Sequence, residues 1–273
     1  MARWILSVCL AVVCGTAALA QDARLKSLET GNDAGDWEAV GRLDINGRGF
    51  CTGALISPDL VLTAAHCLYE KATGERINHE TVQFLAGWRN GRASAYRRVK
   101  RAVVHPEYIY DGAVSSARVR NDIALLELTH PIRNTTIEPF QTAPRPRTGA
   151  QVGVVSYGRD RAEAPALQEV CRVLSRRQGV LVTSCEVDFG SSGAPIFTFA
   201  DGRAQIVSVV SAKAELDGND VSLGTALGAP LEALRAQLEA GKGVYQHTPP
   251  IAARVVVGEG RGSTGAKFVK PSR

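Results

Sequence analysis

Short hydrophobic runs alternate with turn residues through the first half of the chain after residue 36. The runs are AVGRLDI, GALIS, LVLTAAHC, TVQFLAG, YRRVKRAVVH and DIALLEL. Apolar and β-branched runs of this length, bounded by turn residues, are typical of strands. The pattern predicts an antiparallel β unit over about residues 37–138.

A second series of such runs follows the Pro-rich connector PFQTAPRPRTGA. It consists of QVGVVSYG, QEVCRVLS, GVLVTSCEV, APIFTF and AQIVSVVSA. Asp201 and Gly202, between the last two runs, are a strong signal for a two-residue hairpin turn. These runs predict a second unit over about residues 149–228. Many short strands with little helical periodicity favour an all-β fold of two small antiparallel barrels or sandwiches.

The stretch PLEALRAQLEAG has the spacing of a helix. Pro230 stands near its start, Leu231, Leu234 and Leu238 repeat on one face, and Gly241 is a good stop. The sequence therefore predicts a C-terminal helix over 230–240, after the two β units.

The first twenty residues, MARWILSVCLAVVCGTAALA, have the pattern of a secretory signal peptide over 1–20. An uncleaved N-terminal anchor is the alternative, and no other segment of the sequence is apolar enough to span a membrane. We expect cleavage after Ala20, export to a periplasm or to the extracellular medium, and no stable membrane insertion afterwards. The polar segment 21–36 is interpreted as a linker or a short propeptide.

Loss of the signal peptide leaves four cysteines: Cys51, Cys67, Cys171 and Cys185. An even number in an oxidising compartment indicates disulfides. Four cysteines allow three pairings, and the local pairs 51 with 67 and 171 with 185 close loops of comparable size. The cysteine and histidine spacing does not match a metal site, so we expect neither a metal nor another cofactor.

The formal net charge is +5, and much of the positive charge lies in a Gly-rich tail over 242–273. Its cations face only Glu259 and are Lys242, Arg254, Arg261, Lys267, Lys270 and Arg273. Such a tail can contact an anionic surface, and a solvated tail without a partner is the alternative. We expect no specific nucleic-acid partner.

The stretch CEVDFGSSGAPIF places Ser191 and Ser192 between glycines, a pattern of polar turns and also of nucleophiles. A serine hydroxyl attacks well only beside a base that is itself oriented by an acceptor. His66 ends the apolar run LTAAHC, and Asp122 opens the run DIALLEL, where a carboxylate needs a partner. A structural histidine and a turn-capping aspartate are the alternatives.

These segments resemble the trypsin/chymotrypsin-like serine protease family. LTAAHC is similar to its histidine motif, NDIALL to its aspartate motif and GSSGAP to its serine motif, in the same chain order. The resemblance spans about 37–241 and implies two six-stranded antiparallel barrels of chymotrypsin-like type with a C-terminal helix. CTGALIS resembles the strand whose cysteine bridges to the one after the histidine, which implies a disulfide between Cys51 and Cys67.

The resemblance also implies roles for single residues. Ser192 matches the nucleophile, His66 the general base and acid, and Asp122 the group that holds the imidazole. Gly190 and Ser192 match the pair whose backbone N–H groups form the oxyanion hole. The implied function is that of an exported serine endopeptidase that acts on proteins or peptides through an acyl-enzyme. A catalytically silent protease-fold protein that binds partners through its basic tail is the alternative.

One position departs from the trypsin pattern. Ser191 stands where trypsin-like members have an aspartate that pairs with a new N-terminal ammonium after cleavage, and a serine cannot form that ion pair. No Ile-Val-Gly-Gly start is found over 21–41. The pattern is closer to bacterial trypsin-like and glutamyl-endopeptidase-like relatives, in which DWEAVGRL also has a counterpart.

The specificity residues follow from the same resemblance. Glu186 matches the acidic floor that binds Lys or Arg at P1, although the nearby cysteine pattern differs and a surface role is the alternative. Ser208 matches the start of the segment that pairs with substrate backbone. Val210 matches a glycine at the pocket wall, where a larger side chain would narrow entry.

Overall fold

The computed structural model describes residues 24–112, 114–200 and 202–246. Its strands are β1 Lys26–Ser27, β2 Val40–Ile45, β3 Gly49–Ser57, β4 Leu60–Thr63, β5 Val82–Ala86, β6 Ala95–Val104, β7 Ala124–Leu128, β8 Gln151–Gly158, β9 Arg161–Arg177, β10 Val180–Thr183, β11 Pro195–Ala200, β12 Arg203–Leu216 and β13 Asn219–Ala226. Its helices are α1 Gly31–Ala34, α2 Ser116–Asn121 and α3 Ala229–Glu239, with 3₁₀ turns at Gly35–Trp37, Ala65–Leu68 and His79–Thr81.

The first barrel is a closed antiparallel sheet in the order β2-β3-β4-β7-β6-β5. Its interior is filled by the apolar side chains that alternate along these strands, among them Leu43, Leu55, Phe84 and Leu125. Gly41 of β2 leaves room for the Phe84 ring, since a Cβ there would lie 2.3 Å from it. The hydrophobic pattern of the sequence thus becomes the core of the first barrel.

The second barrel is built from strands in the order β9-β10-β13-β12-β11-β8, and an additional pairing of β8 with β9 joins the ends of this row into a ring. Val154, Leu181, Ile196 and Val207 lie in its core. The strands on either side of the predicted turn form a hairpin, since Ala200 of β11 pairs with Arg203 of β12, and Asp201 lies outside the described residues. The all-β, chymotrypsin-like fold predicted from the sequence is confirmed.

Helix α3 packs against the first barrel although it follows the second in the chain. Its buried side chains Leu231, Leu234 and Leu238 belong to the large core of the first barrel. Arg101 of β6 donates a hydrogen bond of 2.8 Å to the carbonyl of Leu238 at the end of the helix. The predicted C-terminal helix is therefore confirmed and fastens the end of the domain to its first half.

Both local disulfides form, Cys51 with Cys67 and Cys171 with Cys185. Each joins segments that are already neighbours in one barrel. The first joins β3 to the turn after β4, and the second joins β9 to the second residue after β10. Of the three pairings that four cysteines allow, the structure has the one with two local pairs.

The segment interpreted as a linker or propeptide, 21–36, is packed onto the domain in its described part. Strand β1 pairs with β9, and Leu28 is only 1% exposed while its N–H donates to the carbonyl of Pro165 at 2.9 Å. The interpretation as a linker is wrong for residues 24–36, because one buried leucine and one strand pairing outweigh the polar composition. Residues 21–23 and the predicted signal peptide over 1–20 lie outside the described residues.

The start of the predicted tail also contacts the domain. The N–H of Ala102 donates to the carbonyl of Gly243 at 2.9 Å, and Tyr245 packs edge-on against His79. The rest of the tail, 247–273, lies outside the described residues. Within the part of the chain that the structure describes, no helix has both the length and the apolar character needed to cross a membrane.

Candidate active site

His66 lies in the 3₁₀ turn Ala65–Leu68, directly after strand β4. Its neighbour Cys67 is bonded to Cys51 of β3, so the turn is tied to the barrel wall. The two sulfurs and a ring nitrogen of His66 lie within 4.8 Å of one another. Because both sulfurs are used in the disulfide, they are not available as thiolate ligands and instead fix the position of the histidine.

Asp122 follows helix α2 and precedes strand β7. Ser115 caps the start of this helix, since its Oγ accepts the N–H of Arg118 at 3.1 Å. The hydroxyl of Thr225 lies 2.5 Å from the carbonyl oxygen of Val119 and 3.1 Å from that of Asp122, which ties the end of the helix to β13. The short helix was not predicted, and it presents the aspartate to the space between the barrels.

The Asp122 carboxylate is 1% exposed and accepts three hydrogen bonds. The backbone N–H of His66 donates to Oδ1 at 2.8 Å, and the Nδ1–H of its ring donates to Oδ2 at 2.6 Å. The hydroxyl of Ser211 also donates to Oδ2, at 2.5 Å. Since an ionised carboxylate only accepts, the proton of the neutral imidazole is on Nδ1, and Nε2 is the free acceptor.

Tyr108 is a further buried group near this carboxylate. Burial raises the pKa of its phenol, and the negative charge of Asp122 raises that pKa further. The phenol therefore stays neutral at physiological pH and adds no second negative charge beside Asp122.

Ser192 lies in the turn between β10 and β11, next to the strands that carry the histidine. The N–H of Thr52 in β3 donates to its carbonyl at 2.8 Å. The adjacent Gly193 is so close to β4 that an added Cβ would lie 2.1 Å from Thr63 Oγ1 and 2.9 Å from the N atom of Ala64. The structure therefore brings the segment of Ser192 against the strand end that leads into His66.

Gly190 has a backbone conformation that favours glycine, with φ of +97°. An added Cβ would lie 2.2 Å from the ring of Phe50, so any other residue would have to displace that ring. Among the described residues, the N–H groups of Gly190 and Ser192 donate to no backbone carbonyl. Two such N–H groups flanking one serine can both bind a single anionic oxygen.

The predictions for Ser208 and Val210 are wrong. Ser208 is fully buried, and its strand is paired on both sides, with β11 at Ile196 and with β13 at Ala226. Its hydroxyl donates to the carbonyl of Thr225 at 2.8 Å. A strand with both edges occupied has no backbone groups left for a substrate.

Val210 belongs to the core of the second barrel. Its N–H donates to the carbonyl of Ala194 at 2.9 Å, and its own carbonyl accepts the N–H of Gly193 at 2.8 Å. It therefore faces away from any pocket. The residue of this strand that reaches the site is Ser211, and the second serine of IVSVVS was the signal that could have identified it. A shift of register between Val210 and Ala212 turns this serine toward Asp122.

Glu186 is exposed, and its backbone N–H donates to Gln168 Oε1 at 2.7 Å. It lines a cleft of about 830 Å³ beside the turn that carries Ser192. The charged residues of this cleft are Glu186, Asp188, Asp217, Asp220, Arg161 and Lys213. Lys213 is paired with Asp220 at 2.7 Å. The cleft thus has an excess of carboxylates.

Two curated proteins are similar in sequence to parts of this chain. The chain is 27% identical over 156 residues to the glutamyl endopeptidase of Bacillus licheniformis, a match that covers 57% of this chain and 47% of that protein. It is 29% identical over 125 residues to the mannan-binding lectin serine protease 1 of Mus musculus, covering 41% of this chain and 17% of that protein. The chain therefore spans less than half the length of these curated relatives.

The fold has a counterpart among solved structures. A structure of Glu endopeptidase in complex with MPD superposes with a TM-score of 0.65 at 20% identity, covering 79% of this chain and 96% of that one. The family model described as Trypsin matches residues 30–221, which is most of the chain. By this match the chain belongs to the trypsin family.

Proposed function

We propose that this protein is a serine endopeptidase in which Ser192 is the nucleophile, His66 the general base and acid, and Asp122 the group that orients the imidazole. The observation that carries the proposal is the hydrogen-bonded pair of His66 and Asp122, at 2.6 Å, beside the turn of Ser192. In this mechanism Ser192 Oγ bonds to the scissile carbonyl carbon while its proton passes to His66 Nε2. The same proton then goes to the leaving amine as the C–N bond breaks.

The second half of the reaction uses the same groups. Water attacks the acyl-enzyme ester, His66 takes a proton from that water, and Ser192 leaves with the proton restored. The N–H groups of Gly190 and Ser192 bind the oxyanion in both halves. The free donors at both positions and the positive φ of Gly190 support this assignment. The steps require no metal or cofactor.

The cleft that Glu186 lines supports a preference for a cationic P1 side chain, with Glu186 as one of the acceptors. The carboxylates that line the cleft favour charge pairing with Lys or Arg. The printed name of the Bacillus relative, glutamyl endopeptidase, favours Glu instead, and Arg161 and Lys213 in the same cleft could pair with that side chain. A peptide-library cleavage profile separates the two, since enrichment of Lys and Arg supports the first and enrichment of Glu the second.

The proposed setting is outside the cytoplasm. The two disulfides of the domain support an oxidising compartment, and the signal peptide predicted over 1–20 supports export. We therefore propose a periplasmic or secreted protease acting on proteins or peptides. The basic tail is proposed to contact anionic surfaces.

A burst experiment tests the proposed reaction. With an activated ester substrate, accumulation of the acyl-enzyme predicts a rapid release of one leaving group per active site before steady turnover. Ser192→Ala should abolish the burst, whereas Ser191→Ala should leave a measurable one. A wild-type protein with neither burst nor peptide cleavage would favour the alternative of a silent binding module.

A further inference from the structure

We propose that Arg161 is a positioning residue of the active site, whose guanidinium holds Ser191 and thereby the two N–H groups proposed to bind the oxyanion. This inference rests on the proposed function, because it concerns the same site. It assigns to a residue outside the three sequence motifs the task of anchoring residues 188–192, which we call the serine loop.

Ser191 is completely buried, and all its hydrogen-bonding capacity is used inside the protein. Its Oγ accepts from Arg161 Nη2 at 3.0 Å and from the N–H of Asp188 at 3.2 Å. Its one proton is shared between Ser156 Oγ, at 3.1 Å, and the carbonyl of Tyr157, at 3.0 Å. Both lone pairs of this hydroxyl accept hydrogen bonds, and its proton is donated, so no lone pair is left for nucleophilic attack. Ser191 therefore has a structural role and fixes the position of its loop.

Arg161 lies beside the serine loop, at the start of β9. It pairs with Gly158 of β8, and its guanidinium folds back over that glycine, where a Cβ would lie 2.7 Å from Cζ. Besides Ser191, it donates from Nη2 to Ser156 Oγ at 3.0 Å and from Nε to the Ser156 carbonyl at 3.4 Å. Gly158 is thus required to let the arginine pass.

The charge of Arg161 has no direct counter-ion. Among the described residues no carboxylate oxygen lies within 4.0 Å of it, and its hydrogen bonds go to neutral oxygens of Ser156 and Ser191. Burying part of a guanidinium without an ion pair costs free energy of folding, and an apolar side chain could fill the same space without that cost. The presence of an arginine is explained if its N–H groups are needed to hold the serine loop in place.

The coupling from Arg161 to the site runs through the backbone. Ser191 lies between the two residues whose N–H groups are free, Gly190 and Ser192. Its own N–H donates to the carbonyl of Asp188, and its carbonyl accepts from Ala194, both at 2.9 Å. A shift of Ser191 therefore moves both neighbouring N–H groups at once, and such groups act only when they point at the developing charge.

Replacing Arg161 should lower the rate of the chemical step. We expect Arg161→Ala to reduce kcat and the rate of fluorophosphonate labelling by about 100-fold, near the effect of losing one oxyanion donor, with little change in KM. Guanidinium ion added in solution should restore part of the lost rate in this variant. Arg172→Ala, on an exposed position of the same strand, is the matched control and should retain the wild-type rate.

A double-mutant cycle tests whether the arginine acts through the serine. If it does, Arg161→Ala combined with Ser191→Ala should be no slower than Arg161→Ala alone. Independent, additive losses would overturn the proposal. So would a loss seen only as a higher KM, which would make Arg161 a substrate-binding residue. If Arg161→Ala does not fold, Arg161→Lys replaces it in the cycle, with the same outcomes.

The outcomes also separate this inference from the proposed function. A wild-type protein that fluorophosphonate does not label contradicts the serine endopeptidase itself. A labelled wild type with an Arg161→Ala variant that is labelled equally fast contradicts only the role of Arg161.

Discussion

At the scale of single residues, the carboxylate of Asp122 is the most strongly constrained group of the site. It is buried and bonded to His66 through both of its oxygens. Asp122→Asn keeps the shape but places an amide where an acceptor is needed, so the ring of His66 is held in the wrong tautomer. We expect kcat to fall by roughly 10⁴-fold. Steady-state kinetics on a peptide substrate measure this, and a loss of only a few-fold would make Asp122 a structural residue.

Ser211 donates the third hydrogen bond to the same carboxylate, after the two from His66. Ser211→Ala removes one hydrogen bond to a charged group, an interaction worth about 1.5–3 kcal/mol. If the whole of that difference appears in the transition state, kcat falls by roughly ten- to a hundredfold. The control is Ser208→Ala, which removes a buried hydroxyl of the same strand that points to Thr225. Equal kinetic losses in the two variants would contradict a role of Ser211 in holding Asp122.

The residues that sequence alone could not supply share a physical feature. His66, Asp122 and Ser192 each adjoin or end an apolar run and stand in a recognisable motif, so the sequence alone identifies them as candidates. Ser211 and Arg161 are visible only in three dimensions. The face of Ser211 depends on a strand irregularity, and Arg161 is one arginine among many until its guanidinium is seen to bend back over Gly158.

At the scale of elements, one short strand and one short helix form where the amino-acid composition does not predict them. Strand β1 and helix α2 lie in polar stretches with no clear period, so the sequence gives them no signal. Each is stabilised by tertiary contacts: β1 by pairing with β9, and α2 by its Ser115 cap and by Thr225 of β13. Most of the longer strands coincide with predicted runs because burial of one face imposes their period, whereas β13 Asn219–Ala226 matches none of the predicted runs.

The disulfide between Cys51 and Cys67 joins β3 to the 3₁₀ turn that carries His66. Replacing both cysteines by alanine should lower the free energy of unfolding by about 3 kcal/mol, since the bond closes a loop of this size. Because Cys67 adjoins His66, kcat should fall as well. The matched control replaces Cys171 and Cys185, which close a similar loop away from the histidine. Thermal unfolding and kinetics of the two double variants measure both effects, and an equal effect on kcat would contradict the local role.

At the scale of the whole molecule, the site exists only where the two barrels meet. The first contributes His66 and Asp122, the second contributes Ser192 and Ser211, and Thr52 of β3 bonds to the carbonyl of Ser192 across the boundary. The interior of the boundary is aromatic, with Trp37 against Phe140 and Phe197. This division of the site explains why motifs from distant parts of the chain had to be combined before they indicated a function.

The change in the free energy of unfolding with pH should depend on His79. Its ring is buried beside Tyr245, and burial lowers its pKa below the ordinary 6.5. A hydrogen bond with the Lys100 backbone opposes this effect, the charge of Arg76 adds to it, and the charge of Glu80 opposes it. The unfolded chain therefore takes up a proton that the folded chain does not, as the pH falls below about 6.5. The stability contributed by neutral His79 is fully present above that pH and is lost as the pH falls toward the lowered pKa.

His79→Gln removes this titration. We expect chemical denaturation to show a smaller loss of stability between about pH 7.5 and pH 5.5 in His79→Gln than in the wild type. His130→Gln, at an exposed histidine, should retain the wild-type dependence. An unchanged slope in His79→Gln would show that folding does not lower the pKa of His79 below its value in the unfolded chain.

The most direct test of the account is to locate a fluorophosphonate label on the purified protein by mass spectrometry. We expect one label per chain, on Ser192, because its segment lies against the strand end that leads into His66 and, among the described residues, the N–H groups of Gly190 and Ser192 donate to no backbone carbonyl. Labelling should be lost in Ser192→Ala and measurable in Ser191→Ala. A label on Ser191, or no label on a folded protein that has been briefly treated with a second protease, would contradict the assignment.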